Sequence, residues 1–179
     1  LDGGNSRSMG GLLGFQENSP PSKRSASTDL NLTKTKGMAT GPAPINALVS
    51  PLLTDMYQIS MTYAHWKNEK HLQPAVFDLF FRKCPFQGEF CIFAGLDEVL
   101  KFLSHYSFSD SDIVYLQELM PNAEPAFFEW LSQLDCSTVK VHAAEEGSVV
   151  FPKEPLLRIE APLGIGQLLE TTLLNLINF

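Results

Sequence analysis

Hydrophobic residues recur along this chain with two periods, and the switches between them outline the fold. In Ser50–Lys67, Leu52, Met56, Ile59, Tyr63 and Trp66 follow one another at spacings of four, three, four and three. That spacing places them on one stripe of a helix. Asp55, Gln58, Thr62 and His65 fall on a second, polar face. Ser50 and Pro51 read as the helix start: a hydroxyl to cap free N–H groups, then a residue with no N–H of its own. Tyr57 lies between the faces, on a row with Leu53, Met61 and Ala64. At the edge of the apolar face, its ring is open to a neighbour or a ligand.

The period then drops to two. Ala75–Lys83 alternates as a strand, with Phe77, Leu79 and Phe81 on one face and Val76, Asp78, Phe80 and Arg82 on the other. Pro85 stops it, Phe86-Gln87-Gly88 turns the chain, and Glu89–Ala94 is predicted to return as the second strand of a hairpin. Three helices follow. Leu96, Val99, Leu100 and Leu103 mark the first, and Ser109 caps the second, with Ile113, Leu116 and Met120 inward. Pro125 opens the third, whose inner face is Phe127, Phe128, Leu131 and Leu134. Thr138–Ala143, Ser148–Phe151 and Leu156–Glu160 read as strands. After Gly164 and Gly166 a last helix carries a wide apolar stripe of Leu168, Leu169, Leu173, Leu176 and Ile177. Its polar stripe is Gln167, Glu170, Thr171, Asn175 and Asn178, and it has no stop signal. An apolar face this wide at the end of the chain implies that further polypeptide covers it, so the sequence reads as a fragment.

Residues 1–37 lack either period and are rich in Gly, Ser, Asn, Thr and Lys, a composition expected to be disordered. A targeting segment and translated leader ahead of a start at Met38 both fit this stretch. Asp2, Glu17, Asp29 and the glycines spoil an amphipathic basic helix and favour the leader. Gly41–Asn46 reads as a linker. The division is therefore a disordered tail over residues 1–44 and one α/β domain over residues 45–179.

Charge sharpens this division. The first 37 residues carry five basic and three acidic side chains, and the remainder carries eight basic against seventeen acidic. The acidic part has no broad basic footprint, which argues against nucleic acid as a partner. No apolar run approaches the roughly 20 residues that span a bilayer. Cys84, Cys91 and Cys136 form no metal-binding pattern and read as small buried hydrophobes in a reducing compartment, although a hairpin would bring Cys84 and Cys91 close enough to leave a disulfide open.

Little here carries catalytic chemistry by itself. Asp55 at a helix start complements the helix dipole. Asp78 and Arg82 share a strand face four residues apart, about 13 Å, too far to pair directly. Arg82 needs a partner on another strand, in solvent or on an anion, and its guanidinium fork suits a phosphate. His65, His71, His105 and His142 are scattered and read as solvated or satisfied. No Gly-rich phosphate loop, nucleophile elbow or paired catalytic carboxylates occur.

Four segments taken together are more specific: LLTDMYQISM (Leu52–Met61), FDLFFRKCPF (Phe77–Phe86), FAGLDEVLKFL (Phe93–Leu103) and the run from Glu146 to Phe179. In this order they closely resemble the N-terminal part of nicotinate phosphoribosyltransferases. The resemblance implies the α+β-like N-terminal α/β sandwich of a type II phosphoribosyltransferase, with the irregular α/β barrel mostly missing. It implies condensation of nicotinate with phosphoribosyl pyrophosphate to nicotinate mononucleotide, an entry to NAD. It further implies coupling to ATP through a phosphorylated histidine, Mg²⁺ or Mn²⁺ with the phosphates, a cytosolic setting, and a homodimer with its active site at the interface. By the same resemblance Tyr57 is the residue that stacks on the pyridine ring, Arg82 approaches the phosphates, and Gln58 favours nicotinate because nicotinamide-using relatives carry Lys there. The catalytic histidine, the carboxylate-binding arginine and the phosphate loop lie beyond Phe179 in the family layout. This chain alone is therefore expected to be inactive and to aggregate through its uncovered last helix. A nicotinamide phosphoribosyltransferase and a non-catalytic dimerisation module are the competing readings.

Overall fold

The computed structural model describes residues 13–18, 28–31, 44 and 46–177. In chain order the elements are β1 (Leu13–Asn18), β2 (Thr28–Asn31), α1 (Met56–Lys67), β3 (Pro74–Phe81), β4 (Cys91–Ile92), α2 (Leu96–Ser104), α3 (Asp110–Leu119), α4 (Pro125–Ser132), β5 (Lys140–Ala143), β6 (Val149–Val150), β7 (Leu157–Pro162) and α5 (Leu163–Ile177). Five strands form an antiparallel sheet in the order β1-β3-β7-β5-β2, and β4 pairs with β6 in a separate ribbon.

The alternation in the sequence becomes a two-sided sheet. Phe77 lies opposite Ile159, and Leu79 opposite Leu157. Val141 and Ala143 continue the same rows on β5. All six are buried, and α5 packs on this apolar face against β3 and β7. Each large side chain so buried contributes about 1.5–3 kcal/mol. The other face carries charge in register: Asp78 opposite Arg158 opposite His142, and Glu160 opposite Lys140. Such cross-strand pairs help fix the register that the apolar rows require.

Helix α5 begins directly at the end of β7, so Gly164 and Gly166 lie inside its first turns rather than ahead of it. Gly166 is there for space. A Cβ at this position would come within 2.1 Å of the Phe77 ring. The wide apolar face of α5 is not uncovered, contrary to expectation: Leu168, Leu169 and Leu173 are at most 1% exposed, screened by the sheet, α1 and α2. The aggregation route expected from that face therefore lacks its exposed surface. Asn178 and Phe179 lie outside the described residues.

Helix α1 starts later and faces differently than predicted. Ser50 and Pro51 form a turn, closed by the Leu53 N–H on the Ser50 carbonyl at 2.9 Å, and Asp55 is the N-cap. The buried residues are Gln58, Ile59 and Thr62, whereas Met56 is 45% exposed. Two members of the supposed polar face thus point into the protein. They are tolerated because α5 supplies hydrogen-bond partners for them, as described below.

The predicted hairpin between β3 and Glu89–Ala94 is also not formed. β1 and β7 take both edges of β3, leaving no edge for β4, which pairs with β6 instead. Positive φ angles at Phe86 (53°) and Gln87 (60°) turn the chain away from β3. Within the stretch expected to be disordered, β1 and β2 add antiparallel strands to the two sides of the sheet. Backbone pairing at an otherwise open edge needs no apolar periodicity in the added strand, which is why that stretch gave no strand signal. The rest of that stretch, Met38 included, and most of the Gly41–Asn46 linker lie outside the described residues.

The three helices between the strands follow their signals. Ser109 Oγ accepts from the Asp112 N–H at 3.2 Å while Asp112 accepts from the Ser109 N–H at 2.8 Å, a reciprocal cap at the start of α3. Phe127, Phe128 and Leu131 of α4 are buried, with Tyr63 and Trp66 of α1 edge-on to Phe127. At the start of α2, Gly95 takes φ 103°, and a Cβ there would lie 2.3 Å from the Leu176 carbonyl oxygen. Only glycine suits both conditions.

Candidate substrate-binding residues

Tyr57 sits in the first turn of α1, where the helix leaves the Thr54–Asp55 cap. The cap is built by Gln58, three residues on, whose Oε1 accepts from the Asp55 N–H at 3.1 Å. A Gln at this spacing from a capping Asp is a helix-start signature, and Asp55-x-x-Gln58 is the signal in the sequence that the Ser50–Pro51 reading passed over. Gln58 Oε1 also accepts from the Thr54 hydroxyl and from Thr171 Oγ1 of α5, the latter at 2.9 Å. Thr171 has one hydroxyl proton, which it shares between Gln58 and Asp55 Oδ2 at 2.7 Å. Thr172 donates to the Leu53 carbonyl at 2.7 Å. The N-terminal end of α1 is thus fastened to α5 by three polar contacts, from Thr171 to Asp55 and Gln58 and from Thr172 to Leu53.

Against this support the Tyr57 side chain stays 47% exposed. Its hydroxyl is the engaged end. Gln58 Nε2 donates to it at 3.4 Å. Loss of water around the phenol, then the Glu170 and Asp55 charges, push its pKa up to about 12. The phenol is therefore neutral throughout the physiological range. Gln58, by contrast, is fully buried.

Arg82 follows the last residue of β3 and is exposed. Asp78 is not its partner. Arg158 on β7 holds Asp78 with two hydrogen bonds, at 2.7 and 3.0 Å. The Arg82 guanidinium lies over the Phe80 ring, 5.9 Å from its centroid. Tyr57 and Arg82 belong to different elements, α1 and the end of β3, which share α5 as their common support.

The remaining candidate residues are mostly settled by local contacts. His105 Nδ1 lies 2.9 Å from Ser104 Oγ and 3.0 Å from the Lys101 carbonyl, and His142 Nε2 lies 3.3 Å from Glu160. His71 departs from the expectation: its Nδ1 is buried without a hydrogen-bond partner among the described residues, between Trp66 and Trp130. Burial lowers its pKa, so it is held neutral. The three cysteines are free thiols. Burial and the neighbouring Cys84 thiol raise the pKa of Cys91. Glu170 and Thr171 escaped sequence reasoning because a polar stripe on a helix otherwise reads as solvated surface.

Comparison with known proteins decides what this arrangement belongs to. Residues 52–178 match the family model described as the nicotinate phosphoribosyltransferase N-terminal domain. The chain belongs to this family. It is 55% identical to nicotinate phosphoribosyltransferase 2 of Arabidopsis thaliana over 136 residues, which are 76% of this chain and 24% of that protein. It is 56% identical to the nicotinate phosphoribosyltransferase of Caenorhabditis elegans over 135 residues, 75% of this chain and 24% of the relative. The crystal structure of human nicotinic acid phosphoribosyltransferase superposes with a TM-score of 0.65 at 46% identity, over 69% of this chain and 25% of that one. The chain therefore spans about a quarter of the length of its relatives. Its mixed sheet-and-helix sandwich is the N-terminal domain fold of that family. Among the described residues, no helix is long and apolar enough to cross a membrane.

Proposed function

We propose that this chain is the N-terminal domain of an enzyme that condenses nicotinate with phosphoribosyl pyrophosphate, coupled to ATP hydrolysis, to form nicotinate mononucleotide for NAD synthesis. The observation that carries the reading is Tyr57: a half-exposed aromatic ring whose hydroxyl accepts from the buried amide of Gln58 beside it. Such a ring has its face available to a planar base and little freedom to turn away. Stacking would fix the plane of the pyridine while the remainder of the enzyme supplies the phosphoribosyl group. Arg82, exposed at the end of β3, would offer two parallel N–H groups to phosphate oxygens.

The relatives' own names specify nicotinate, which supports that base over nicotinamide. Mg²⁺, as companion of the phosphates, and ATP belong to the proposed reaction. Among the described residues no three His, Cys, Asp or Glu side chains gather to hold a metal ion. None of the described residues is assigned to the ion, and no step runs through it here. A homodimer with the site at its interface, in the cytosol, completes the reading: Tyr57 and Arg82 lie on the outside of this domain, where a second subunit's residues would have to meet them.

The test uses the full-length enzyme that carries this domain. Tyr57→Ala is expected to raise the KM for nicotinate about 2- to 10-fold, the equivalent of a stacked aromatic pair. An unchanged KM and kcat would overturn the stacking role. Turnover of nicotinamide in preference to nicotinate by the same enzyme would overturn the choice of base.

A further inference from the structure

The β4–β6 ribbon is apolar on both faces. Cys91 lies opposite Val150 and Ile92 opposite Val149, and the Phe93 N–H extends the ladder to the Ser148 carbonyl at 2.9 Å. Side chains alternate across such a ribbon. Phe93 and Val150 turn inward and are buried. Phe90, Ile92, Val149 and Phe151 turn outward, and each is about half exposed. An antiparallel ribbon whose outer face meets water is ordinarily polar there. The turn ahead of β4 presents a further apolar group. Phe86 is 101% exposed, so its ring packs against nothing in the domain. It has φ 53° and Gln87 has φ 60°, a left-handed backbone that bulky side chains rarely adopt. That conformation holds an aromatic ring out into solvent, next in the chain to an outward apolar face.

We propose that the outer face of this ribbon, with Phe86 as its anchor, is the surface on which the domain docks against the remainder of its own full-length polypeptide. The proposal rests on the reading above that the chain is one domain of a longer enzyme. The matched region is only 24–25% of each relative, so most of the family polypeptide lies outside it and has to meet this domain somewhere. The size of the patch fits a contact within one chain. One fully exposed and two half-exposed phenylalanines, with Ile92 and Val149, present about 500 Å² of apolar surface. Doubled over both sides, that falls within the roughly 600–1,500 Å² of interfaces between domains of one chain. It is short of the roughly 1,600 Å² of a free-standing specific complex, which also loses translational freedom that a tethered domain does not have to lose. Charge argues against a lipid surface. The exposed charged residues next to the patch in the chain are Glu89, Glu145, Glu146 and Glu154 against Lys153, and an anionic leaflet would repel that balance. The same residues suit the polar rim of a protein contact, with Phe86 filling a pocket at its centre.

Photo-cross-linking in the full-length enzyme tests this. Phe86 is replaced by the photoreactive analogue p-benzoylphenylalanine, and isotopically light and heavy enzyme are refolded together. Cross-links from this position are expected to end outside residues 1–179 and to join light to light and heavy to heavy. Light-to-heavy cross-links would make the occupant a second subunit. Cross-links that end within residues 1–179 would make it the domain itself, and no cross-link at all would leave the face in solvent. Each of these three results overturns the proposal. Hydroxyl-radical footprinting of the unmodified enzyme gives a reading that needs no variant. Phe86, Phe90 and Phe151 are expected to be oxidised about 5-fold or more slowly than in the denatured enzyme, because the centre of an interface excludes water. Equal rates would overturn the proposal. Turnover by the same preparation keeps the two ideas apart. Enzyme that uses nicotinate while these rings stay unprotected rejects the docking face alone. Enzyme with protected rings that does not use nicotinate rejects the proposed reaction alone.

Discussion

Arg158 holds both oxygens of the Asp78 carboxylate, with Nε 2.7 Å from one and an Nη 3.0 Å from the other. The two residues face each other in register on β7 and β3, and Asp78 is only 6% exposed. The register thus gives Asp78 its partner on the neighbouring strand, as the four-residue separation from Arg82 requires. Arg158→Ala, which strands a buried carboxylate, is expected to cost about 3–5 kcal/mol. Asp78→Ala is expected to cost about 1.5–3 kcal/mol. Arg82→Ala removes an exposed guanidinium from a ring face and is expected to cost less than about 1 kcal/mol. Urea unfolding of the three variants checks the order. An Arg82 variant as unstable as Arg158→Ala would make Arg82 a structural residue, and its proposed phosphate contact would lose support.

Gly166 lets α5 lie directly against the Phe77 ring of the sheet. A Cβ at Gly166 would meet two ring carbons of Phe77, at 2.1 and 2.7 Å. The Phe77 ring is buried and has no exit, so the helix would have to lift. Gly166→Ala is expected to destabilise the fold by about 1–3 kcal/mol, despite the usual helix-favouring effect of alanine. Thermal unfolding checks the sign, and Phe77→Leu in the same chain is expected to recover part of the loss by making room. A stabilised Gly166→Ala would show that α5 and β3 are not in contact at this point.

These contacts show what the sequence could and could not disclose. The alternation of Phe77, Leu79 and Phe81, the Ser109 cap and the Pro125 start depend on residues near each other in the chain, and each was legible there. The burial of Gln58 and Thr62 was not, because it depends on Thr171 and the Gly164 carbonyl, more than a hundred residues away. Nor was the pairing of β4 with β6, because it depends on β1 and β7 occupying β3 first. The candidate site divides in the same way. Tyr57 could be placed at the edge of a helix face, but the buried amide of Gln58 that meets its hydroxyl is itself fixed by Thr171 of α5.

Glu124, the N-cap of α4, links that helix to the last turn of α1. Its carboxylate accepts from Lys67 Nζ at 2.7 Å and from the Tyr63 hydroxyl. The Lys67 bond first, then the Tyr63 bond, hold its pKa down at about 2, against an ordinary 4.5. A carboxylate with a depressed folded pKa stabilises the fold above its unfolded pKa and loses that contribution as pH falls through the folded one. The window is therefore from pH 4.5 down to about 2. The Glu124 side chain is 43% exposed, so the contribution is small and screened by salt. Glu124→Gln is expected to show a shallower fall of Tm across this window than the parent, and added salt to narrow the difference. Parallel Tm curves would mean that the Lys67–Glu124 pair does not hold in solution.

Tyr57 titrates at the opposite end of the scale. Its pKa is raised from 10.0 to about 12, most by desolvation and next by Glu170. A group whose folded pKa is raised contributes stability that is complete below the unfolded value and lost as pH rises through the folded one. The loss is thus expected between pH 10 and about 12. The chain has four tyrosines, so the ultraviolet difference between the parent and Tyr57→Phe isolates the phenolate of interest. It is expected to appear near pH 12 in the parent. Glu170→Gln, which removes the charge and keeps the acceptor, is expected to bring it down, though not to 10, because desolvation persists. This readout needs no turnover. A Tyr57 phenol that titrates at 10 in the parent would mean that it is neither desolvated nor near the Glu170 charge, whatever the ring does in catalysis.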